Sequence, residues 1–373
     1  MSANAWQNKS DLALDRSPGR FVASKLMLSG VQSLGEFKSI HLQPCGGGYV
    51  ARFLVTGGAG FIGSHLVDGL LSRGHSVIVL DDLSTGRHDN LKLHLGDPRC
   101  EFVLGSILNE SLVDDVVRRA DVVLHMAAAV GVHLIVERPL ESLATNIRGS
   151  EIVLEKCHKY GRKVLVASTS EIYGKNTSDA LRETDDRILG SPMKTRWSYS
   201  EAKAIEEVLA YAYWKQKGLP TVIVRLFNTV GPRQVGHYGM VIPRLVAQAT
   251  HGSPLTVYGT GEQTRCFCHV SDVVEALLGI VEAPEAEGQV FNVGSREEVS
   301  IIELARRIRT LTGSSSDITL IPYDEAYEAG FEDMQRRRPD TSKVHGLLGW
   351  SPTRTLDDII LSVAADLNSR NVT

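Results

Sequence analysis

The chain has few cysteines, no long apolar run and no excess of positive charge. Its five cysteines among 373 residues are an odd, scattered set, which argues against a disulfide-stabilised scaffold and favours a reducing, cytoplasmic compartment. They also lack the spacing of a metal site, so no metal is expected. No stretch approaches the roughly 18 apolar residues that span a membrane. A formal net charge of -4 gives no electrostatic reason to expect nucleic acid as a partner.

The length fits one large domain or two intimately joined ones. Residues 1–50 differ from the rest, because they are polar and have no apolar core of signal-peptide length. Asp11, Asp15 and Glu36 argue against a transit peptide. Three consecutive glycines at residues 46–48 then precede the first strong strand pattern. We interpret residues 1–50 as an N-terminal extension outside the fold that follows.

From residue 51 the sequence becomes regular and reads as a strand, a glycine turn, a helix, a second strand and an acid. Residues 52–56 have the apolar pattern of a buried parallel strand. Gly57, Gly60 and Gly63 follow in a G-x-x-G-x-x-G spacing. Glycines there permit a tight turn and a close approach of the backbone to a diphosphate, and the next helix directs its N-terminal amides at that anion. The pattern indicates a dinucleotide-binding unit.

The second strand of this unit ends at an acid. Residues 76–80 have a strand pattern whose last four residues are apolar, and Asp81 closes it about 20 residues after the turn. A carboxylate in this position binds the ribose hydroxyls of adenosine and repels a 2′-phosphate, so it favours NAD over NADP. Asp82 beside it is expected to shape the adenine end. The cofactor predicted from the sequence is therefore NAD.

Strand and helix patterns then continue to alternate. Residues 121–125 form another buried strand pattern, which leads into small residues such as Ala127 where a flat cofactor can lie. Asn146 stands at the start of the next helix, and RKVLVASTS is the following strand. This alternation predicts an α/β fold with a doubly wound parallel sheet, whose ligands bind at the carboxyl ends of the strands. Four polar side chains stand at such an end: Ser168, Thr169, Ser170 and Glu171.

A tyrosine and a lysine four residues apart, Tyr199 and Lys203, lie on one face of the next predicted helix. A free phenol has a pKa of about 10, which is too high for a base near neutrality. A nearby ammonium and the positive charge of an oxidised nicotinamide would lower that pKa. The hydroxyl of Thr169 or Ser168 could share the proton with a substrate hydroxyl.

These motifs together resemble a known family. The stretches GGAGFIGSHL, HMAA, STSEIYG, YSEAK and RLFNTVGPRQ, with Asp81, are similar to the extended short-chain dehydrogenase/reductases that act on nucleotide sugars. The resemblance runs from Arg52 to the C-terminus, and implies a Rossmann-type fold with a smaller C-terminal substrate-binding α/β domain. It further implies that Tyr199 is the base, that Lys203 tunes its pKa and binds the nicotinamide ribose, and that Thr169 shares the proton.

One position departs from the family pattern. The strand in EFVLGSI usually ends in Gly-Asp, and the Asp holds the adenine amino group, whereas this chain has Ser106. The adenine contact is therefore expected to be weaker or made differently. The cofactor-binding residues expected from all these motifs are Gly57, Gly60, Phe61, Ile62, Gly63, Asp81, Asp82, Ser106, Ala127, Asn146, Tyr199 and Lys203.

The second half of the chain resembles the family's sugar-nucleotide domain. Asn228 and Arg233 come from RLFNTVGPRQ, and Gln263 and Arg265 come from YGTGEQTRCFCHVSDV. The planar fork of arginine suits a diphosphate, so these side chains are expected to form a cradle for a UDP-sugar. The resemblance implies a nucleotide-binding domain over residues 51–227 and about 264–284. It places the sugar-nucleotide domain over residues 228–263 and 285–373.

Residues 169–171 indicate which reaction follows. Members of this family first oxidise the sugar at carbon 4. Thr-Ser-Glu lacks the aspartate of the 4,6-dehydratases and resembles the decarboxylases of UDP-glucuronate. In that reaction the 4-ketone is β to the 6-carboxylate, which leaves as carbon dioxide, and Ser170 and Glu171 are candidates for protonating carbon 5. NADH then reduces carbon 4 to give UDP-xylose, unless the 4-keto pentose is released.

A uronate also requires a cation. Arg337 stands two residues before Pro339 in DMQRRRPDTSKV, where the family's decarboxylases have their catalytic arginine. The resemblance thus implies a substrate-binding role for Arg337 and six catalytic residues: Thr169, Ser170, Glu171, Tyr199, Lys203 and Arg337. A UDP-sugar 4-epimerase and a non-catalytic NAD-binding regulator remain the alternatives.

The family resemblance also implies a homodimer. The two pairing helices would be the one in SLVDDVVRRA and the one that contains Tyr199. Val208, Leu209 and Tyr213 are expected to give the second helix an apolar surface beyond its catalytic face.

Overall fold

A parallel sheet forms the centre of the fold. The computed structural model describes residues 50–130, 138–236, 240–326, 334 and 336–371, so residues 1–49 of the proposed N-terminal extension lie outside the described part. The strands of this sheet are β1 (Arg52–Thr56), β2 (Ser76–Asp81), β3 (Cys100–Leu104), β4 (Val122–His125), β5 (Lys163–Thr169), β6 (Thr221–Leu226) and β11 (Gln289–Val293). They lie parallel in the order β11-β6-β5-β4-β1-β2-β3. The predicted doubly wound α/β sheet is confirmed, and its winding reverses between β1 and β4, where such sheets bind ligands.

Helices pack on both faces of this sheet. The helices of the described residues, including those of the smaller part, are α1 (Phe61–Ser72), α2 (Glu110–Arg119), α3 (Pro139–Leu143), α4 (Ser150–Tyr160), α5 (Ser198–Lys217), α6 (Val241–Thr250), α7 (Val270–Glu282), α8 (Ile301–Leu311), α9 (Tyr323–Ala326), α10 (Ser342–Leu348) and α11 (Leu356–Asn371). A π-helical turn (Ala144–Gly149) joins α3 to α4, and 3₁₀ turns cover His88–His94, Ser170–Tyr173, Thr195–Trp197 and Pro284–Ala286. Among the described residues, none of these helices is long and apolar enough to cross a membrane.

The strands bury side chains on both faces. Phe53 and Val55 of β1 pack in one core cluster with residues of α1 and α7, whereas Leu54 packs on the opposite face with residues of α2 and α4. Because successive side chains of a strand point to opposite faces, both sets must be apolar when helices cover both sides. This explains why the strand patterns read as continuous apolar runs.

A smaller part of the chain has its own core. The remaining strands form three pairs, namely β7 (Thr229–Val230) with β10 (Cys268–His269), β8 (Leu255–Tyr258) with β13 (Ile318–Ile321), and β9 (Thr264–Cys266) with β12 (Glu298–Ser300). Leu245, Leu304 and Ile359, from α6, α8 and α11, belong to the core cluster of this part. Strand β11 lies in the large sheet, although residues 285–373 were expected in the sugar-nucleotide domain. The predicted boundary is wrong for that strand, and the rest of the division stays a prediction.

Candidate functional site

A cavity of about 610 Å³ lies along the carboxyl ends of the central strands. Residues far apart in the chain line its wall, from the glycine turn after β1 to the arginine-rich segment before α10. The expected site residues that line it are Gly57, Gly60, Phe61, Ile62, Gly63, Asp81, Asp82, Ala127, Thr169, Ser170, Glu171, Tyr199, Lys203, Asn228, Arg233, Gln263, Arg265 and Arg337. Most of the site residues predicted from the sequence therefore line the same cavity.

The glycine turn is packed too closely for side chains. Gly57 has a φ of 68°, a left-handed conformation that favours glycine. A Cβ on Gly63 would lie 2.1 Å from the carbonyl oxygen of Gly57, which no other residue type can accommodate without displacing the turn. The first helical residue of α1 is Phe61, so the helix N-terminus opens at this turn. This close-packed turn fits the diphosphate of a dinucleotide.

Asp81 is held rigidly at the end of β2. One carboxylate oxygen accepts a hydrogen bond from the backbone N–H of Ala59 (2.9 Å) and the other accepts one from Leu83 (2.8 Å). Burial raises the pKa of Asp81, and these two backbone N–H groups oppose the rise. The carboxylate of Asp82 accepts a hydrogen bond from the backbone of Ser84. Both acids face the cavity, as the adenosine end of NAD requires.

Two expected cofactor residues do not line the cavity. The Ser106 hydroxyl accepts a hydrogen bond from the backbone of Leu108, while its neighbours Gly105 and Ile107 form the wall. Asn146 is fully buried, and its side-chain amide pairs with both backbone groups of Ala129, at 2.8 and 3.1 Å. Asn146 therefore fixes the segment that follows β4 and lies behind the cavity wall.

Tyr199 and Lys203 lie together on α5 beside the end of β5. Tyr199 is buried, and burial, followed by the Glu171 and Glu206 carboxylates, raises its pKa far above that of a free phenol. A hydrogen bond with the Thr169 side chain acts in the opposite direction. The Lys203 ammonium donates to the Ala167 carbonyl and to the Glu206 carboxylate, each at 2.9 Å.

This electrostatic arrangement corrects one expectation from the sequence. Lys203 was expected to help lower the pKa of Tyr199, whereas the groups of the chain raise that pKa. The physical reasons are burial, which is the largest cause of the raised pKa of Tyr199, and the ion pair of Lys203 with Glu206, whose negative charge offsets the ammonium. Neither the burial nor this pairing could be read from the Y-x-x-x-K spacing.

Glu171 lies between two arginines. Its carboxylate is 2.6 Å from the guanidinium of Arg196 and 3.5 Å from that of Arg337. Burial alone would raise the pKa of Glu171, but the two guanidiniums outweigh burial and hold it at about 2. The Arg337 guanidinium also donates to the side-chain oxygen of Asn228. Glu171 is therefore ionised near neutrality, so it cannot serve as a ready proton donor in this arrangement.

The hydroxyls around Glu171 have different surroundings. The Thr169 hydroxyl accepts a hydrogen bond from the backbone of Glu171, which caps the 3₁₀ turn. Ser168 instead donates to Glu207, a buried acid that pairs with Arg225. Thr169 thus faces Tyr199, and Ser168 belongs to a separate buried network, so the geometry favours Thr169 as the hydroxyl that shares the proton.

The expected substrate-binding residues line the far end of the cavity and are already engaged. The Asn228 amide donates to the Cys266 carbonyl, and the Gln263 amide donates to the Tyr258 carbonyl. The Arg233 guanidinium is 2.8 Å from Asp68 on α1, and Arg265 donates to the Thr264 carbonyl. These contacts fix the side chains along the wall before any ligand binds.

Two residues of this site were missed from the sequence. Arg196 lines the cavity and bonds Glu171, and its signal in the sequence is its position three residues before Tyr199. Glu206 is fully buried beside Lys203, and its signal is the i, i+3 spacing on one helix face. Neither signal is specific, because arginines and glutamates at such spacings are common on exposed helices.

Comparisons with known proteins agree with this geometry. The family model described as "NAD dependent epimerase/dehydratase family" matches residues 53–294. The chain is 42% identical over 305 residues to a UDP-N-acetyl-alpha-D-glucosaminuronate decarboxylase of Bacillus cytotoxicus, covering 81% of this chain and 92% of that protein. It is 37% identical over 309 residues to UDP-glucuronic acid decarboxylase 1 of Xenopus tropicalis, covering 82% and 70%.

A solved structure gives the same picture. The crystal structure of UDP-glucuronic acid 4-epimerase from Bacillus cereus, in complex with UDP-glucuronic acid and NAD, matches with a TM-score of 0.77 and 29% identity, covering 86% of this chain and 99% of that one. The glycine turn, Asp81 and the Tyr199–Lys203 pair line one cavity in a fold shared with an NAD-bound enzyme. The chain belongs to the NAD-dependent epimerase/dehydratase family.

Proposed function

We propose that this enzyme is an NAD-dependent decarboxylase of a UDP-linked uronic acid, with UDP-glucuronate as the substrate and UDP-xylose as the product. The observation that supports this most directly is the position of Glu171 between Arg196 and Arg337, on the cavity wall beside Tyr199. Guanidiniums bind carboxylates through parallel N–H donors. An arginine pair here suits a sugar that has a carboxylate at carbon 6.

The proposed roles follow from the geometry. Tyr199 accepts the proton of the 4-hydroxyl, and Thr169, which is hydrogen-bonded to it, shares that proton. When bound, NAD would accept the hydride from carbon 4 and return it there after carbon 5 is protonated, and its oxidised form would add a positive charge that favours the phenolate. Lys203 holds the ribose side of the site. Once carbon 4 is a ketone, the 6-carboxylate leaves as carbon dioxide, and its electron pair is delocalised into the ketone as an enolate.

Arg337 is the proposed contact of the 6-carboxylate. It lies opposite Glu171 and is tethered by Asn228, so a uronate can share its guanidinium with Glu171. Ser170 is buried and lines the cavity next to Glu171. The proton for carbon 5 then comes from the Ser170 hydroxyl or from a water held by ionised Glu171, since Glu171 itself has no proton to give.

The substituent at carbon 2 of the sugar is a second point of the proposal. One relative is named a decarboxylase of UDP-N-acetylglucosaminuronate at 42% identity, and another a decarboxylase of UDP-glucuronic acid at 37%. The two names share the 6-carboxylate and differ at carbon 2. UDP-N-acetylglucosaminuronate is therefore the second candidate substrate, with the same chemistry at carbons 4 to 6.

We also propose that the enzyme is a cytoplasmic homodimer. Val208 on α5 is 67% exposed, and Ile205 and Tyr211 are exposed near it, whereas Leu209 and Tyr213 pack against the core, contrary to the sequence-based expectation. Helix α2 packs on α4, and α4 packs on α5, so α4 is a better candidate than α2 for pairing beside α5. Among the described residues the cysteines are free thiols, which fits a reducing compartment.

Incubation with three substrates tests the function. The purified protein is given UDP-glucuronate, UDP-N-acetylglucosaminuronate or UDP-glucose, and carbon dioxide and the nucleotide-sugar products are measured. Carbon dioxide and a UDP-pentose, or its 2-acetamido analogue, are expected from a uronate. Interconversion of 4-epimers without carbon dioxide would establish an epimerase. Turnover of none of the three, by protein that contains NAD, would favour the NAD-binding regulator.

A further inference from the structure

A buried polar chain runs from β1, the strand before the glycine turn, to Lys203, and the proposed chemistry uses only this last residue. The Thr56 hydroxyl lies 2.8 Å from Nδ1 of His125, and Nε2 of His125 lies 2.9 Å from the Ser150 hydroxyl. The Ser150 hydroxyl lies close enough to Glu206 to lower the pKa of its carboxyl, and Glu206 in turn bonds Lys203 at 2.9 Å. All five residues are buried, and Glu206 is 0% exposed.

Burial keeps His125 neutral, and the hydrogen bonds of this chain can then run in one of two directions. Burial, followed by the charge of Lys203, lowers the pKa of His125 to about 3, so the ring is neutral and has one donor and one acceptor. In the first direction the Thr56 oxygen accepts from the backbone N–H of Ala127 and its own proton goes to Nδ1. Nε2–H then donates to Ser150, whose proton is left for Glu206.

With this order of hydrogen bonds, the Ser150 hydroxyl can donate to the carboxylate of Glu206. One carboxylate oxygen of Glu206 binds Lys203, and the other has no direct hydrogen bond within the described part of the chain. A buried carboxylate oxygen without a donor is costly, and the Ser150 hydroxyl is the donor that this proton order directs toward it. The opposite order would turn the Ser150 proton toward His125 and leave Glu206 without it.

We propose that Glu206 is a positioning residue for the Tyr199–Lys203 pair. Its carboxylate fixes the Lys203 ammonium on α5, and through Ser150 and His125 it ties that helix to β4 and to the strand that precedes the glycine turn. Its charge also opposes formation of the Tyr199 phenolate, so it sets the pH at which the base becomes available. This inference rests on the proposed role of Tyr199 as the base.

Among the charged residues near Tyr199, Glu206 is the one whose mutation tests the proposal most directly. Glu171 and Glu206 both raise the pKa of Tyr199, but Glu171 is neutralised by its arginines and is part of the proposed substrate site. His125 faces Lys203 from β4, and Glu207 faces Glu206 from the same helix. Replacing Glu206 by Gln removes one charge, keeps the size of the side chain and leaves the substrate-contacting residues intact.

The test is a titration of Tyr199 that needs no sugar substrate. Near-ultraviolet phenolate absorbance is followed with rising pH in NAD-loaded protein, and the signal of Tyr199 is isolated by subtracting the same background with Tyr199→Phe. In Glu206→Gln, phenolate should appear about one pH unit lower than in the wild type, because a nearby negative charge is gone. Glu206→Asp, which retains the charge, should titrate like the wild type.

Glu207→Gln is the matched control. Glu207 is the next residue, is also buried and is also ion-paired, but with Arg225, so its loss should reduce stability without moving the Tyr199 titration. If Glu206→Gln titrates like the wild type, or if Glu207→Gln shifts as far, Glu206 is a structural residue only. If Glu206→Gln does not fold, Ser150→Ala takes its place: this change retains the Glu206 charge and removes a donor that compensates it, so phenolate should appear at higher pH than in the wild type, and an unchanged or lower midpoint overturns the proposal.

Kinetics then connect the titration to turnover. With whichever uronate is decarboxylated, the acid limb of the kcat profile should move to lower pH in Glu206→Gln by the same amount as the titration. An unmoved limb beside a moved titration would mean that another group limits the rate. If no uronate is a substrate, the proposed function fails, while the titration still decides the role of Glu206.

Discussion

Replacing Arg337 by Ala should separate uronate chemistry from nucleotide binding. The guanidinium lies on the cavity wall between Glu171 and Asn228, and it is proposed to bind the 6-carboxylate. A charge-assisted hydrogen bond of this kind contributes about 1.5–3 kcal/mol. Its loss should lower kcat/KM for carbon dioxide release by roughly 10- to 150-fold, at 1.4 kcal/mol per factor of ten.

The site should remain assembled in this variant. Glu171 loses its 3.5 Å contact with Arg337 but keeps the 2.6 Å ion pair with Arg196, so it stays ionised. The dissociation constant of UDP-xylose, which has no carboxylate at carbon 6, should therefore change far less than kcat/KM for the uronate. Isothermal titration with UDP-xylose and initial rates of carbon dioxide release measure the two quantities.

The adjacent arginine is the matched control. The Arg336 guanidinium pairs with Glu298 and Asp179, at 2.6 and 2.8 Å, and its side chain is 40% exposed. Surface ion pairs of this kind contribute little, so Arg336→Ala should decarboxylate at close to the wild-type rate. Equal losses in the two variants, or full activity of Arg337→Ala, would refute the assignment of the uronate carboxylate to Arg337.

Four further outcomes are expected. Tyr199→Phe should lower turnover by ~100-fold or more, as removal of a positioned base does, while the bound NAD released on denaturation stays equal to wild type. Gly63→Ala should abolish NAD binding in the same assay, because its Cβ would lie 2.1 Å from the Gly57 carbonyl oxygen. Glu171 has a pKa of about 2 when folded, against 4.5 as its ordinary value, so its stabilising contribution is complete above pH 4.5. At 1.36 kcal/mol per pH unit about 3 kcal/mol is lost as the pH falls to about 2, and urea unfolding of Glu171→Gln across this range should lack that slope. Val208→Glu should yield monomers in sedimentation where the wild type is a dimer, and a wild-type monomer at micromolar concentration would contradict the proposed assembly.

Local patterns in the sequence were sufficient to predict the nucleotide-binding half. The strand, turn, helix and acid from Arg52 to Asp81 are neighbours in both sequence and space, and each is specified by short-range rules. The i, i+4 spacing of Tyr199 and Lys203 likewise predicts one helix face. These local structures appear in the folded protein as the sequence predicts because its tertiary contacts stabilise the same strand, turn and helix.

Contacts between distant residues could not be predicted in the same way. The pairing of Glu171 with Arg337 joins positions 166 residues apart, and nothing in either segment specifies the other. The raised pKa of Tyr199 depends on burial and on Glu206, neither of which the tyrosine–lysine spacing reveals. Strand β11 was assigned to the wrong domain because its apolar sequence would fit the large sheet or a strand of the smaller domain equally well. Only its pairing with β6 shows that it belongs to the large sheet.

The arginine pair also decides what Glu171 can do during the proposed reaction. While a uronate occupies Arg337, two carboxylates share the two guanidiniums, and Glu171 relies mainly on Arg196. Loss of carbon dioxide transfers the negative charge of the 6-carboxylate to the enolate, and protonation of carbon 5 then removes that charge from a buried site, where like charges repel strongly. Arg337 can then return to Glu171, which restores the pair seen in the structure. The UDP-pentose therefore leaves a site whose charges are already satisfied, and this is why its affinity should be insensitive to Arg337 while use of the uronate is not.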